Sequence, residues 1–169
     1  MDSTPTQTVQ VGDKAPEFVL PSLDGDPVRL QDYLGTKLVL FIWASWWACR
    51  SQLPVWQHFY EANKSKDFKI LTVSMDAQGP EKILPYVDIE NSSYQILIDQ
   101  ENRLGPLLGF RAIPNGFLID EIGIVKYKQL GNFDVRKPET LAILQQWIDG
   151  TKLSYSPSKP SLEIPIGDA

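Results

Sequence analysis

Three apolar segments, each long enough for one strand, alternate with segments in which apolar residues recur at helical spacing. This alternation limits the possible folds more than any other feature. The apolar segments are KLVLFIWA (37–44), FKILTVSMD (68–76) and YQILID (94–99). A continuous apolar run of this length is typical of a strand buried on both faces of a parallel or mixed sheet. Because helical patterns stand between the strands, the sequence predicts an α/β layered fold.

The helical segments have recognisable starts and stops. A helix is expected from about residue 48 to 64, where Pro54 should interrupt and bend it near its start. Its apolar stripe consists of Leu53, Trp56, Phe59 and Tyr60. Further helices are expected at residues 80–90, 103–110 and 137–150. In the last of these Pro138 suits the first turn and Gly150 is a natural stop.

Two hairpins complete the pattern. Residues 17–30 contain two short apolar runs around an Asp-Gly-Asp-Pro turn, which predicts an N-terminal hairpin. Residues 112–120 and 124–131 should form a second hairpin near the end of the domain. The segment 151–169 is rich in proline and serine without a period, so we expect it to be either disordered or laid over the surface in extended form.

Length and composition indicate one domain with two short flanking segments. The chain has 169 residues, of which 43% are hydrophobic and 22% charged, the balance of a globular protein with a full core. We expect a flexible segment at residues 1–10, a single domain at 11–150 and a Pro/Ser-rich tail at 151–169.

Charge and motifs exclude several classes of function. A net charge of −5 argues against nucleic-acid binding, which needs a basic surface to neutralise phosphates. There is no Cys/His cluster for a metal, no glycine-rich phosphate loop and no apolar run long enough to span a bilayer, so no metal, other cofactor or transmembrane segment is expected. The start of the chain lacks the pattern of a secretory signal, which favours a cytoplasmic location, or an extracytoplasmic one if a signal or anchor was trimmed.

The ordered series of segments resembles the thioredoxin-like redoxins of the TlpA and ResA type, which are related to the AhpC/TSA peroxiredoxins. The resemblance runs from VGDKAPEFVLPSLDGDPVRL through LVLFIWASW, CRSQLP and ILTVSMD to GFRAIPNGFLIDEIGIV, or about residues 11–149. It implies a thioredoxin-like fold: a central mixed β-sheet flanked by helices, with an N-terminal hairpin and an inserted β-α unit. It also implies thiol-disulfide oxidoreductase ancestry.

The active-site motif of that family is incomplete in this chain. The family has Trp-Ala-Ser/Thr-Trp followed by Cys-x-x-Cys-Arg and a proline, whereas the stretch from Trp43 to Pro54 reads WASWWACRSQLP. When the two are aligned from the right, Cys49 takes the place of the second, resolving cysteine. The nucleophilic first cysteine falls on Trp46 or Trp47, which have no sulfur. The ordinary two-thiol cycle therefore lacks its attacking thiolate.

Other parts of the site also depart from the family pattern. The family carries a glutamate where Gln52 stands, so a candidate proton acceptor is replaced by an amide, and the strand 38–44 contains no aspartate as a substitute. A peroxiredoxin site needs Pro-x-x-x-Thr/Ser-x-x-Cys, but Trp46 and Ile42 stand three and seven residues before Cys49. Peroxidase chemistry by that route is not expected.

The resemblance also assigns a groove for an extended substrate. Pro114 matches the family's cis-proline, although the pattern Ile-Pro-Asn-Gly could also be a plain turn, and Asn115-Gly116 replaces the usual Thr-Thr or Thr-Ser. The candidate substrate or partner groove consists of Trp46, Trp47, Ala48, Ile113, Pro114 and Asn115, and Cys49 is the candidate catalytic residue.

Two hypotheses from different classes follow. In the first, the chain is a binding module whose groove holds a protein or peptide partner, with Cys49 as a buried packing residue. In the second, the chain is a single-thiol oxidoreductase that uses Cys49 with an external resolving thiol. The sequence leaves open which of them holds, and so whether the protein is an enzyme.

Overall fold

The central sheet lies within the residues that the computed structural model describes, which are 9–45, 51–84, 94–150 and 164–165. In these residues its strands are β3 (Lys37–Trp43), β4 (Phe68–Ser74), β5 (Gln95–Ile98), β7 (Asn115–Ile119) and β8 (Val125–Gln129). Their order across the sheet is β5-β4-β3-β7-β8. The pairs β3/β4 and β4/β5 are parallel, whereas β3/β7 and β7/β8 are antiparallel, so the mixed sheet predicted from the sequence is confirmed.

Strand β3 is the centre of the sheet and is buried on both faces. From Leu38 to Ala44 no side chain is more than 1% exposed. Such a strand can carry no polar side chain without a buried partner, which explains the continuous apolar run. Its register against β4 runs from Lys37↔Phe68 to Trp43↔Ser74, so the two strands end together.

The N-terminal hairpin was predicted correctly. It consists of β1 (Val19–Pro21) and β2 (Pro27–Arg29), which pair antiparallel and are joined by a turn in which Gly25 has φ +89°. A 3-10 helix at Leu30–Tyr33 follows.

The helices are α1 (Leu53–Asn63), α2 (Pro80–Ile83), α3 (Leu104–Leu108) and α4 (Pro138–Ile148). The prediction that Pro54 interrupts α1 is wrong, because α1 begins at Leu53 and the proline stands in its first turn. Its missing N–H has no helical acceptor there. The stretch 80–90 was predicted as one helix, but α2 ends at Ile83 and residues 85–93 lie outside the described part.

A second small sheet lies apart from the central one. It pairs β6 (Ala112–Ile113) antiparallel with β9 (Ile164–Pro165), in the register Ala112↔Pro165 and Ile113↔Ile164. Of the two alternatives for the C-terminal tail, the extended one therefore holds for residues 164–165.

An aromatic cluster packs against the sheet beside β7. The rings of Phe41 and Trp56 lie 5.1 Å apart, and Phe133 lies 6.2 Å from the first and 6.0 Å from the second. Gly116 lies directly beneath Phe133: a Cβ added there would come within 2.4 Å of the ring. The absence of a side chain at position 116 thus lets the Phe133 ring lie against the backbone of β7.

Gly116→Ala should lower the free energy of unfolding by about 2–3 kcal/mol, because the new methyl group overlaps a buried ring that packs against Phe41 and Trp56. Urea titration measures this loss. In a Phe133→Leu background the same substitution should cost clearly less, since the smaller side chain leaves room. Equal costs in the two backgrounds would show that the ring is not the obstacle.

Candidate functional site

The expected site lies where the end of β3 meets the start of β7. The register pairs Ile42 with Asn115, so Ser45, the last described residue after β3, and Pro114, just before β7, stand at the same end of the sheet. The chain is described again from Ser51, which precedes α1. Two chain segments that are far apart in sequence therefore converge at this edge.

Four of the residues singled out from the sequence, Trp46, Trp47, Ala48 and Cys49, lie outside the described residues. The other three, Ile113, Pro114 and Asn115, are described, and all three are buried. The peptide bond between Ile113 and Pro114 is cis, as the resemblance implies.

The side chain of Asn115 connects the backbone just before Pro114 with the loop that follows β8. Its Nδ2 donates to the carbonyl oxygen of Ala112 at 2.6 Å, and its Oδ1 accepts from the N–H of Gly131 at 2.7 Å. The residue is 0% exposed. An amide can make both bonds because it offers a donor and an acceptor at once. The polar atoms of Asn115 therefore stabilise the backbone around Pro114.

Gln52 joins the start of α1 to the loop between β8 and α4. Its Oε1 accepts from the N–H of Val135 at 2.8 Å, and the residue is only 2% exposed. One residue further along the loop, Arg136 donates to the hydroxyl of Ser51 at 2.7 Å. In the same loop the N–H of Phe133 lies 3.4 Å from the carbonyl oxygen of Pro114. This loop thus connects the Pro114 backbone with the first residues before α1.

The loop carries its own ion pair. Arg136 donates from its guanidinium group and its backbone N–H to the carboxylate of Asp134, with a shortest distance of 2.7 Å. These hydrogen bonds hold the pKa of Asp134 below its usual value, although partial burial opposes the shift.

A buried carboxylate lies at the end of the two central parallel strands. Asp76 is 0% exposed, and its oxygens accept from the Ser45 hydroxyl and the Ser74 hydroxyl, each at 2.6 Å, and from the Ser45 N–H at 3.0 Å. We call Ser45, Ser74 and Asp76 the serine–aspartate cluster. It fixes the last described residue before the segment that contains Cys49.

This cluster was not predicted from the sequence, in which residues 38–44 contain no aspartate. In the structure the carboxylate comes from the neighbouring strand and still reaches the end of β3. The available signal was the equal length of the two strands: Ser45 and Asp76 each stand two residues beyond a strand end, at Trp43 and Ser74.

Two other aspartates, which follow β5 and β7, have structural roles. Asp99 accepts from the N–H groups of Arg103 and Leu104 at the start of α3, and Asp120 closes the β7–β8 turn by accepting from Ile122 and Ile124. Within the described ranges no group of three or more His, Cys, Asp or Glu side chains could hold a metal ion. No described helix is long and apolar enough to cross a membrane.

Comparison with known proteins agrees with this architecture. The model of the AhpC/TSA family matches residues 11–128. The chain belongs to the AhpC/TSA family. Within it, this redoxin is of the TlpA/ResA type, in the thioredoxin-like thiol-disulfide oxidoreductase group.

Two relatives of this AhpC/TSA redoxin are named as thiol-disulfide oxidoreductases. It is 30% identical over 124 residues to the thiol-disulfide oxidoreductase ResA of Geobacillus thermodenitrificans, covering 73% of this chain and 71% of that protein. It is 25% identical over 135 residues to sporulation thiol-disulfide oxidoreductase A of Bacillus subtilis, covering 78% of each.

A solved structure extends the likeness to the fold. A candidate thiol:disulfide interchange protein, DsbE, from Chlorobium tepidum superposes with a TM-score of 0.73 at 29% identity, covering 85% of this chain and 98% of that one. The thioredoxin-like fold expected from the sequence is confirmed.

Asp76→Asn should lower the free energy of unfolding by about 2 kcal/mol, because the amide turns an N–H group toward hydroxyl and backbone donors in a fully buried place. Chemical denaturation at neutral pH measures the change. The matched control is Asp67→Asn, at an exposed position before β4, which should stay within about 0.5 kcal/mol of the parent protein. Similar small effects for both variants would show that the serine–aspartate cluster does not stabilise the fold.

Asp134→Asn should reduce the fall in the urea midpoint that the protein shows as the pH is lowered into the acid range. The folded-state pKa of Asp134 lies below its unfolded value, so the ionised carboxylate stabilises the fold above the ordinary pKa of about 3.9. That contribution is lost as the pH falls through the lower folded-state pKa. Urea midpoints measured from pH 6 down to acid should therefore converge for the parent and the variant. In an Arg136→Gln background the same substitution should change the curve much less; an undiminished effect would mean that another group lowers the pKa.

Proposed function

We propose that this redoxin binds an extended segment of a protein or peptide partner in the groove beside Pro114, and that it does not run a dithiol-disulfide cycle. The observation that carries the proposal is the count of thiols: these 169 residues contain one cysteine, Cys49. Reduction of a disulfide transfers two electrons and needs a second thiol to release the product from the mixed disulfide. Such a thiol would have to come from outside this chain.

The proton chemistry of the site supports the same proposal. Where the family has a glutamate, the Gln52 amide is buried and accepts a hydrogen bond from Val135, and an amide does not exchange protons at physiological pH. The carboxylate of Asp76 is engaged by Ser45 and Ser74. These polar groups act as structural supports, which suits a rigid binding surface.

The backbone around β6 supports an extended ligand. β6 lies outside the central sheet, and in the structure an extended segment pairs with it antiparallel. Addition of a strand to such an edge is a common mode of peptide recognition, in which main-chain hydrogen bonds provide affinity and neighbouring side chains provide selectivity. The groove can hold a partner in this way without a reactive sulfur.

The alternative is a single-thiol oxidoreductase in which Cys49 attacks a disulfide or peroxide and an external thiol resolves the product. The names of the relatives favour it, since they describe thiol-disulfide oxidoreductases. The two functions differ in the state of one sulfur atom. An enzyme needs a thiolate near neutral pH, whereas a binding module does not.

The rate of Cys49 alkylation by iodoacetamide should rise with pH along the curve of an ordinary or less acidic thiol, with a pKa of about 8.5 or higher. Stopped or quenched reactions from pH 5 to 10, read by mass spectrometry, give the curve. N-acetylcysteine in the same buffers is the reference. A rate that is already maximal below pH 7 would contradict the proposal and favour the single-thiol enzyme.

Peptide binding separates the two functions directly. An array of unstructured peptides should contain ligands that the parent protein and Cys49→Ser bind with equal affinity, and these ligands should shift the NMR signal of the Ile113 amide. Repeated reduction of insulin by the parent protein, with only thioredoxin reductase and NADPH supplied, would sink the proposal.

A further inference from the structure

The β6 edge is occupied by the protein's own C-terminal segment. Ile164 stands opposite Ile113, the residue immediately before Pro114, and Pro165 stands opposite Ala112. The proposed function places an extended partner at this same edge. Two strands cannot pair with one edge at the same time, so the tail and a partner would compete for the same backbone groups.

The direction of the Ala112 carbonyl group shows which backbone groups the tail can use. In an antiparallel pair, hydrogen-bonded and non-hydrogen-bonded residue pairs alternate, and the N–H and C=O of one residue point to the same side. The carbonyl oxygen of Ala112 accepts from Asn115 Nδ2 at 2.6 Å, within its own chain segment. The N–H and C=O of Ile113 are then the pair turned toward the tail.

The tail sequence fits this register. Proline has no N–H, so in a strand it is tolerated where no ladder hydrogen bond is required of it. Pro165 stands opposite Ala112, the residue whose carbonyl is used elsewhere, while Ile164 with a free N–H stands opposite Ile113. The position of the proline therefore agrees with hydrogen bonding between Ile113 and Ile164.

Such a short strand can be displaced. Two residue pairs form a weak interaction by themselves, because an isolated two-stranded ribbon is only marginally stable in water. The covalent connection through residues 151–163 compensates, because a segment of the same chain pairs with β6 intramolecularly and does not depend on the protein concentration. A free partner that forms more residue pairs with the β6 edge can then bind this edge more tightly than the tail does.

We propose that the C-terminal segment at Ile164–Pro165 is a built-in ligand of the β6 edge, which an extended partner must displace before it can bind. The displacement part of this inference rests on the proposed function, whereas the tail pairing does not. The tail lowers the apparent affinity for every partner by the same factor, so that only partners of high intrinsic affinity bind at a given concentration.

The test removes one N–H from the tail in the full-length protein. Ile164→Pro should speed hydrogen exchange of the Ile113 amide about tenfold or more, because that amide loses its acceptor alignment with the tail. The same variant should bind a labelled peptide of residues 159–169, added in trans, about tenfold more tightly than the parent protein does. Pro165→Ala is the control: it adds an N–H opposite Ala112 and should leave both values within about twofold of the parent.

The outcomes are distinguishable. An Ile113 amide that exchanges equally fast in the parent protein and in Ile164→Pro, with an unchanged urea midpoint, overturns the tail pairing and leaves the proposed function standing. Faster exchange in Ile164→Pro with no binding of the labelled peptide or of any array peptide overturns the displacement and the proposed function together. Faster exchange together with tighter peptide binding supports both.

Discussion

The backbone pairing of β3 on both sides is the constraint on which the other features depend. β4 fixes one side in parallel and β7 fixes the other in antiparallel register, and the strand between them is apolar throughout. Parallel register makes β3 and β4 end together, so Ser45 and Asp76 meet. Antiparallel register with β7 brings Pro114 to the same end. The edge of the site is thus set by strand registers before any polar contact forms.

Three sets of polar contacts then give this edge its rigidity. The serine–aspartate cluster holds the exit of β3, Asn115 holds the turn around Pro114, and Gln52 holds the loop before α4 against the start of α1. Each contact satisfies a buried group that would otherwise cost stability. Ser45 with Asp76 and Gln52 with Val135 join distant chain segments, and Asn115 does so through its second hydrogen bond, from the N–H of Gly131.

Much of the architecture could be predicted from residues alone. The long apolar run of β3, the turn residues of the N-terminal hairpin and Gly150 after α4 each carry a local signal with a definite meaning. The start of α1 was misjudged because a proline is compatible with a bend or with a first turn, and only packing decides between them. Local patterns are strongest where one element is stabilised by its own residues.

The parts of the site that sequence reasoning missed depend on contacts between distant residues. Ser45 and Asp76 lie 31 positions apart and Gln52 and Val135 lie 83 apart. The pairing of Ile164 with β6 is likewise invisible in a tail that has no period. By contrast, the presence of a single cysteine needed no structure, because it can be counted in the sequence. Residue types are visible in the sequence, whereas contacts between distant residues are not.

The packing of Phe133 on Gly116 makes the residues at these two positions interdependent. The resemblance to the family implies threonine or serine at position 116, but here any β-carbon would overlap the aromatic ring. A larger residue at position 116 would first require a smaller side chain at position 133, at the expense of the stacking with Trp56. Substitutions at the two positions are therefore coupled, and the order in which they arise decides whether the intermediate protein is stable.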